Sequence, residues 1–343
     1  MKKEGRIKRT VSALMIGLLA TGLVGCSNKE AKVDAEEKGK LVKVSIAVSG
    51  NTPATKAMNK VFKPEIEKRL NGKYDIQLYD SGILGAEKVT YDYTKSGIIE
   101  MSVVSTSMWS ETPKMTIPDF PFVFRNVEHA RSAYQGKLGQ YIQKDIEAEQ
   151  PVKLLAWLPN GARVFSSNKE LDSLDDFKGQ KLRMPNNPIH VKLAESLGAS
   201  VVIMDMGEVF TSLEQGVVDG QDNPISSLRS EGWYEVQKNI YNTNHIISSL
   251  ELFVGNEFWD ELTKEEQQVF RDVAQETADY AWDTYINQLD DDKAYMEEQG
   301  LKITELSDKD RAKFQEKIQP VYDYLDKEYD WAEEARQLID GIE

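Results

Sequence analysis

With 343 residues the chain is long enough for two domains of ordinary size, each able to bury a core. Composition is globular, 40% hydrophobic and 29% charged, and the formal charge is −15; five basic residues against one acidic residue in the first 25 leave −19 on the remainder. So acidic a surface argues against a nucleic-acid partner and against indiscriminate anion capture, so an anionic ligand needs a local positive site that overrides the overall field.

Residues 1–25 read as a targeting segment rather than fold. Basic residues through Arg9 precede an apolar run over 11–24 that is too short and too rich in small residues for a comfortable membrane span. The run ends in Leu23-Val24-Gly25-Cys26, which resembles the lipobox of bacterial lipoproteins. That resemblance implies cleavage before Cys26 and its acylation, with two or more chains holding the protein at a membrane surface. Cys26 is the only cysteine, so no internal disulfide can form; a simple signal peptide with a chance cysteine is the plainer alternative. Residues 26–40 are then a lipidated cysteine and polar tether, whose reach as a flexible coil is on the order of 20 Å.

Alternation at Val42, Val44, Ile46 and Val48 predicts a strand, followed by a turn over 49–53 and a helix with the stripe Met58, Val61, Phe62, Ile66 and Leu70. Strand and helix then repeat: Tyr74, Ile76 and Leu78 alternate, residues 80–85 form a loop, 86–96 a helix and 98–104 a third strand. Such alternation predicts an α/β lobe whose ligands gather at the carboxyl ends of the strands. Asn51, Thr52 and Glu87 lie in those loops and suit a ligand's hydroxyls, although Asn51 and Thr52 serve equally as helix caps. Trp109 suits either a cleft wall or the core. The proline-broken aromatic run 117–124 is expected to cross the lobe as an extended segment, ahead of one helix over 127–148. Residues 152–157 form the next strand, and 158–161 a first crossing between lobes.

Two arginines then stand on strand-like segments, Arg163 in Arg163-Val164-Phe165-Ser166-Ser167 and Arg183 in Lys181-Leu182-Arg183-Met184 before Pro185. A guanidinium rising from a strand into a cleft presents a planar fork that matches a carboxylate; a surface salt bridge is the commoner use, and the residues alone leave both open. Helices over 187–197 and 207–215 flank a strand over 200–204, and residues 217–221 lead to Asn223-Pro224, where Asn223 is either a ligand contact or a turn residue. Residues 245–253 return as a strand. From 263 to 299 there is neither glycine nor proline, Thr263 and Glu266 form a capping box, and Phe270, Ala274, Ala278, Ala281, Tyr285 and Leu289 make one stripe. This helix spans about 55 Å at 1.5 Å per residue, enough to brace both lobes. Two amphipathic helices follow over 308–342.

The series Asn160-Gly161-Ala162-Arg163, then Asp176-Phe177-Lys178-Gly179-Gln180-Lys181-Leu182-Arg183-Met184-Pro185, Leu197-Gly198-Ala199, Gly207-Glu208-Val209-Phe210 and Gly216-Val217-Val218-Asp219-Gly220-Gln221-Asp222-Asn223-Pro224 resembles the solute receptors of tripartite ATP-independent periplasmic (TRAP) transporters, the DctP-like family, in order and spacing. The resemblance implies a two-lobed α/β fold like that of periplasmic binding proteins, with mixed sheets, hinge crossings and the long bracing helix. Lobe I would comprise residues 41–160 with about 249–288, and lobe II residues 161–248 with about 289–343 and the C-terminal helices. It implies Arg183 as the principal carboxylate-binding arginine, Arg163 as its accessory and Asn223 as a ligand contact, with Asn186 beside Arg183. Asp222 stands where the family usually has glutamate, Glu214 where it commonly has glutamine, and Met206 where an aromatic residue often packs on the ligand.

His129, His190 and His245 are far apart and belong to no recognisable metal-ligand cluster, and no Walker loop, GxSxG, HExxH or GxGxxG motif occurs. Asp219 and Asp222 suit a solvated or turn-forming role better than an acid–base pair. The expectation is a monomeric, lipid-anchored extracytoplasmic receptor without metal or cofactor. It would close on a small organic acid and deliver it to the small and large membrane subunits of a TRAP transporter. Glu87 at the distal end of the cleft favours a sugar acid or other polyhydroxy monocarboxylate over a C4-dicarboxylate. A ligand-binding sensor for a membrane kinase, or an extracytoplasmic hydrolase, are the alternatives.

Overall fold

A computed structural model of the protein describes residues 39–342; the targeting segment, Cys26 and nearly all of the tether lie outside the described residues. Strands β1 (Lys40–Ile46), β2 (Tyr74–Tyr79) and β3 (Met101–Val104) are parallel neighbours, β4 (Val152–Ser167) runs on for 16 residues, and β5 (Lys181–Met184), β6 (Ser200–Ile203) and β7 (Gly220–Pro224) form a second parallel-rich set. With β8 (Asn239–Asn242), β9 (Ile247–Gly255) and β10 (Lys302–Glu305), the order is β2-β1-β3-β9-β4-β7-β5-β6, and β8 pairs with both β4 and β10. The two lobes meet along β4. Residues 152–162 pair antiparallel with β9, whereas 163–167 pair with β7 and β8.

The crossing expected as a loop over 158–161 is therefore part of a strand. Register shifts between Leu154 and Ala156 and between Pro159 and Gly161 supply the bend without interrupting the ladder for long. At the second shift Gly161 has φ 127°, and a side chain there would stand 2.7 Å from the ring and hydroxyl of Tyr285. Only glycine accepts both the conformation and the approach.

The helix over 53–70 is α1 (Pro53–Ala57), a π-helical turn Met58–Phe62 and α2 (Lys63–Arg69), started by Pro53 and by Thr52 Oγ1 accepting from Thr55 N. α3 (Glu87–Lys95) follows β2. The single helix expected over 127–148 is two, α4 (Val127–Tyr134) and α5 (Lys137–Glu149), because the chain turns at Gly136. Ahead of them, the start of the run expected to be extended, residues 117–119, lies instead in the 3₁₀ helix Pro113–Asp119, with Pro118 inside it. In the second lobe lie α6 (Pro188–Ser196), α7 (Val209–Glu214) and α8 (Ile225–Ser230). Then come α9 (Asn256–Glu261), α10 (Lys264–Glu298), α11 (Asp308–Lys317), α12 (Gln319–Glu328) and α13 (Ala332–Asp340). Pro320 in the first turn of α12 makes three C-terminal helices of the two expected.

Helix α10 keeps the predicted capping box and buries Phe270, Ala274, Ala278, Ala281 and Tyr285. Over 35 residues it runs about 52 Å. It packs on α1, α2 and the π turn in the first lobe, on β4 at the junction and on α8 in the second, so it braces both. One core lies between α10 and the β1 side of the sheet, around Val44, Phe62, Leu252 and Phe270, and a smaller one in the second lobe around Val164, Leu213 and Trp233. A third runs through both lobes, from Tyr134 and Trp157 to Phe165, Phe177 and Phe314, and the C-terminal helices close it, α12 against α6 and α13 against α5.

Candidate functional site

A cavity of about 320 Å³ opens between the lobes, at the carboxyl ends of the parallel strands. The first lobe contributes Ala47 and Val48 beyond β1, Gly82 and Gly85 beyond β2, Ser105 and Thr106 beyond β3, and Glu87 from the start of α3. From the second lobe come Arg163, Arg183, Asn186, Asn187, His190, Met206 and Asn223, with Asn160 and Ser248 at the junction. Six of the residues read from the sequence thus meet at one cavity: Arg183, Arg163, Asn223, Asn186, Met206 and Glu87.

Strand register explains the approach of the two arginines. Arg183 pairs with Gln221, placing it on the same face of the second-lobe sheet as Gln221 and Asn223, while Arg163 pairs with Pro224 and shares the other face with Asp222. The two side chains thus start from opposite faces of the sheet, and both line the cavity. Their surroundings differ as much. Arg163 Nε and Nη2 lie 2.9 Å and 3.0 Å from the two carboxylate oxygens of Asp222, and Nη2 also donates to the Asp222 carbonyl at 2.5 Å. Burial opposes the Arg163 charge, but Asp222 more than offsets it and raises the pKa; Asp222 itself, against the same burial, is held well below the usual carboxylate range by Arg163 and His190.

Arg183 donates from Nε and Nη2 to the carbonyl of Met204, at 3.0 Å and 2.8 Å, and among the described residues makes no ion pair. Burial pulls its pKa down to about 10. Asn223 donates to Gln221 Oε1 at 2.6 Å, Met206 packs against the cores of both lobes, and Glu87 accepts from Ser105 N at 2.9 Å and Ser105 Oγ at 2.7 Å.

Asn51, Thr52 and Trp109 do not line the cavity. Thr52 is buried as the α1 cap, its hydroxyl engaged by Ser49 O and Thr55, and Asn51 is exposed in the turn. Trp109 instead reaches across the cleft, donating from Nε1 to Asn186 O at 2.9 Å. On the other side Ser49 N donates to Glu231 Oε1 at 2.9 Å and Ser49 Oγ to Ser230 O at 3.1 Å, and burial pushes the Glu231 carboxyl up. The lobes are drawn together at both rims.

Two histidines that the sequence sets far apart converge on one carboxylate. His190 Nδ1 lies 3.1 Å and His245 Nε2 3.4 Å from Asp222 Oδ2. Asp222, expected at a turn, is fully buried, whereas Asp219 pairs at the protein's edge with Lys169 at 2.7 Å. Sequence reasoning also passed over Asp119, Asn187, Asn160 and Ser248 as part of this wall; the Asn160-Gly161-Ala162-Arg163 motif and the Asn186-Asn187 pair were the available signals.

These features define a ligand receptor with a cleft between two α/β lobes and two buried arginines on its wall, of which Arg163 is paired with Asp222 and Arg183, among the described residues, makes no ion pair. Residues 44–328 match the family model for bacterial extracellular solute-binding proteins, family 7, and the chain belongs to that family. A TRAP periplasmic solute-binding protein from Haemophilus influenzae with bound L-gulonate is 32% identical, superposes with a TM-score of 0.84, and is matched over 88% of this chain and 99% of its own. The corresponding protein from Xanthobacter autotrophicus with bound β-D-galacturonate is 27% identical, with a TM-score of 0.83 over 88% and 100%. The C4-dicarboxylate-binding periplasmic protein DctP of Rhodobacter capsulatus is 28% identical over 93% of this chain and 94% of its own. The protein is thus an extracytoplasmic receptor of the TRAP type, a class that captures small organic acids for membrane transport subunits.

Proposed function

We propose that this receptor takes a single-headed sugar acid, an aldonate or uronate, in preference to a C4-dicarboxylate. The observation that supports this most is the contrast between the arginines: Asp222 already occupies Arg163 in a forked pair, while Arg183 faces the cavity with only a backbone carbonyl. Arg183 would receive the acid's carboxylate in two parallel hydrogen bonds, with Asn223 and Asn186 orienting it. Around the rest of the cavity stand Glu87, Asp205 and Glu231, which disfavour a second carboxylate and suit hydroxyl groups. Bound L-gulonate and galacturonate in two similar proteins agree with this, and the C4-dicarboxylate receptor is the competing precedent.

In this reading residues 41–160 with about 249–288 and residues 161–248 with about 289–343 move as two bodies that bend at β4. The acid stabilises the shut form because contacts from both bodies exist together only there. The closed monomer then docks on the transport subunits, tethered to the membrane through Cys26. Calorimetric titration with L-gulonate, D-galacturonate, D-glucuronate and succinate tests the ligand class. Binding of a sugar acid with little or no response to succinate is expected; tight succinate binding without sugar-acid binding overturns the preference, and no binding by any of them overturns the receptor reading for organic acids.

A further inference from the structure

Behind the acid-binding guanidinium the cavity wall holds a second charged assembly that carboxylate capture leaves unused. The His190 ring lies between two carboxylates, with Nδ1 3.1 Å from Asp222 Oδ2 and Nε2 3.2 Å from Asp119 Oδ1. All three residues are buried, both aspartates completely. Arg163 compensates Asp222. Among the described residues Asp119 accepts, besides facing His190, from the neutral hydroxyl of Thr106 and from Asn187 Nδ2 at 2.8 Å. Asp222 is forked to Arg163 whereas Asp119 meets no guanidinium among the described residues, and an imidazole that faces a carboxylate oxygen at each nitrogen satisfies both only with a proton on each. His245 has no such need. Its Nδ1 takes the Thr243 hydroxyl at 2.7 Å, Nε2–H faces Asp222, and burial pulls its pKa down to about 4.

The assembly also joins the lobes. Asp119 ends the 3₁₀ helix of the first lobe, whereas His190 and Asn187 belong to α6 and its cap in the second. A cleft that opened between these elements would separate Asp119 from His190 and let water reach both. We propose that shutting the cleft takes up a proton, held on His190 between Asp119 and Asp222, so that the receptor grips its acid more tightly at acidic than at alkaline pH. The inference rests on the receptor reading and adds a proton to its closing step.

The groups facing His190 set the sign. Burial opposes the imidazolium, Asp119 and Asp222 favour it, and Arg163 from β4 opposes it; the balance leaves the His190 pKa raised. Arg183 from β5 stands on the same cavity wall, and on α6 itself Lys192 lies over the ring of Tyr324 of α12. A group bound more tightly in its protonated form by the closed state contributes fully below its open-state pKa and loses that contribution as pH rises through the closed-state value. Affinity is therefore level at low pH, falls by at most tenfold per pH unit between the two values, and levels again above them.

Titration of the full-length protein with D-galacturonate from pH 6.0 to 8.5, in phosphate and in Tris, reads this directly. Affinity that falls with pH, and heats whose buffer dependence shows uptake of up to one proton per ligand, are expected. In His190→Gln and in Asp119→Asn the affinity should be flat with pH and the proton uptake gone, which a merely structural role for either residue would not produce. Wild-type affinity that is flat, with no uptake, overturns the proposal and leaves the receptor reading standing. Should no sugar acid bind, the sugar-acid reading fails, and the ligand-free protein decides the proton question by small-angle scattering. A radius smaller at pH 6 than at pH 8.5 in wild type but not in His190→Gln supports the clasp; equal radii overturn it.

Discussion

Arg183 and Arg163 are the same side chain in opposite circumstances, and the difference is worth testing one residue at a time. Removing an unpaired buried cation costs the fold little, because its desolvation is uncompensated, but in the proposed reading it removes the group that clamps the ligand carboxylate. Arg183→Ala should weaken sugar-acid binding by about 2–5 kcal/mol in calorimetry while leaving the ligand-free melting temperature unchanged or higher. Arg183→Lys keeps charge without the fork and should recover only part of the loss. Retained affinity in Arg183→Ala would sink the clamp. Asp222→Asn is expected to behave in the reverse order, destabilising the protein by roughly 3–5 kcal/mol in denaturant titration, since Arg163 and His190 are then left buried around a neutral amide. The family resemblance marked both arginines, Asn223, Asn186 and Met206, and the place of Glu87 in a loop beyond a strand marked that residue; all six line the cavity. Asp119 and His190 were not, because sequence separation says nothing about which side chains a closed cleft brings face to face.

At the scale of elements the same strand that carries Arg163 also carries the bend between lobes. Gly161 sits at its second register shift, with φ in the glycine region and its α-carbon against Tyr285, whose hydroxyl accepts from Ala162 N at 2.7 Å. Gly161→Ala must strain the backbone or displace Tyr285, and either route costs about 1–3 kcal/mol. A lowered melting temperature is expected together with weaker ligand binding, because Arg163 is only two residues away; an unchanged melting temperature would mean that the crossing tolerates a side chain. Periodicity made the strongly patterned elements readable, the long α10 above all, since its cap, its apolar stripe and its freedom from glycine and proline agree. It did not reveal β8 and β10, four residues each, which are strands because they pair with each other and because β8 also pairs with β4. Nor did it show that residues 158–161 continue a ladder, which depends on β9 arriving alongside.

For the whole molecule the consequence is mechanical. α10 spans both lobes and packs on β4, so closure must be a bend over a continuous brace rather than free rotation of two bodies on a linker. The cross-cleft hydrogen bonds of Trp109 to Asn186 and of Ser49 to Glu231 belong to the shut arrangement and add only modestly to it, each near the typical net value of about 1 kcal/mol. The bound acid has to supply the rest. A sugar acid at a hundred times its dissociation constant should therefore add about 2.7 kcal/mol of apparent stability and reduce the radius of gyration together. Both responses should vanish in Arg183→Ala and persist in Cys26→Ser, which is expected to change only the partition of the protein between membrane and soluble fractions. Persistent membrane association of Cys26→Ser would remove the lipid anchor from the account without touching the cleft. Stabilisation without contraction would mean that the acid fills an already shut cavity, and that closure is set by the protein's own contacts rather than by its ligand.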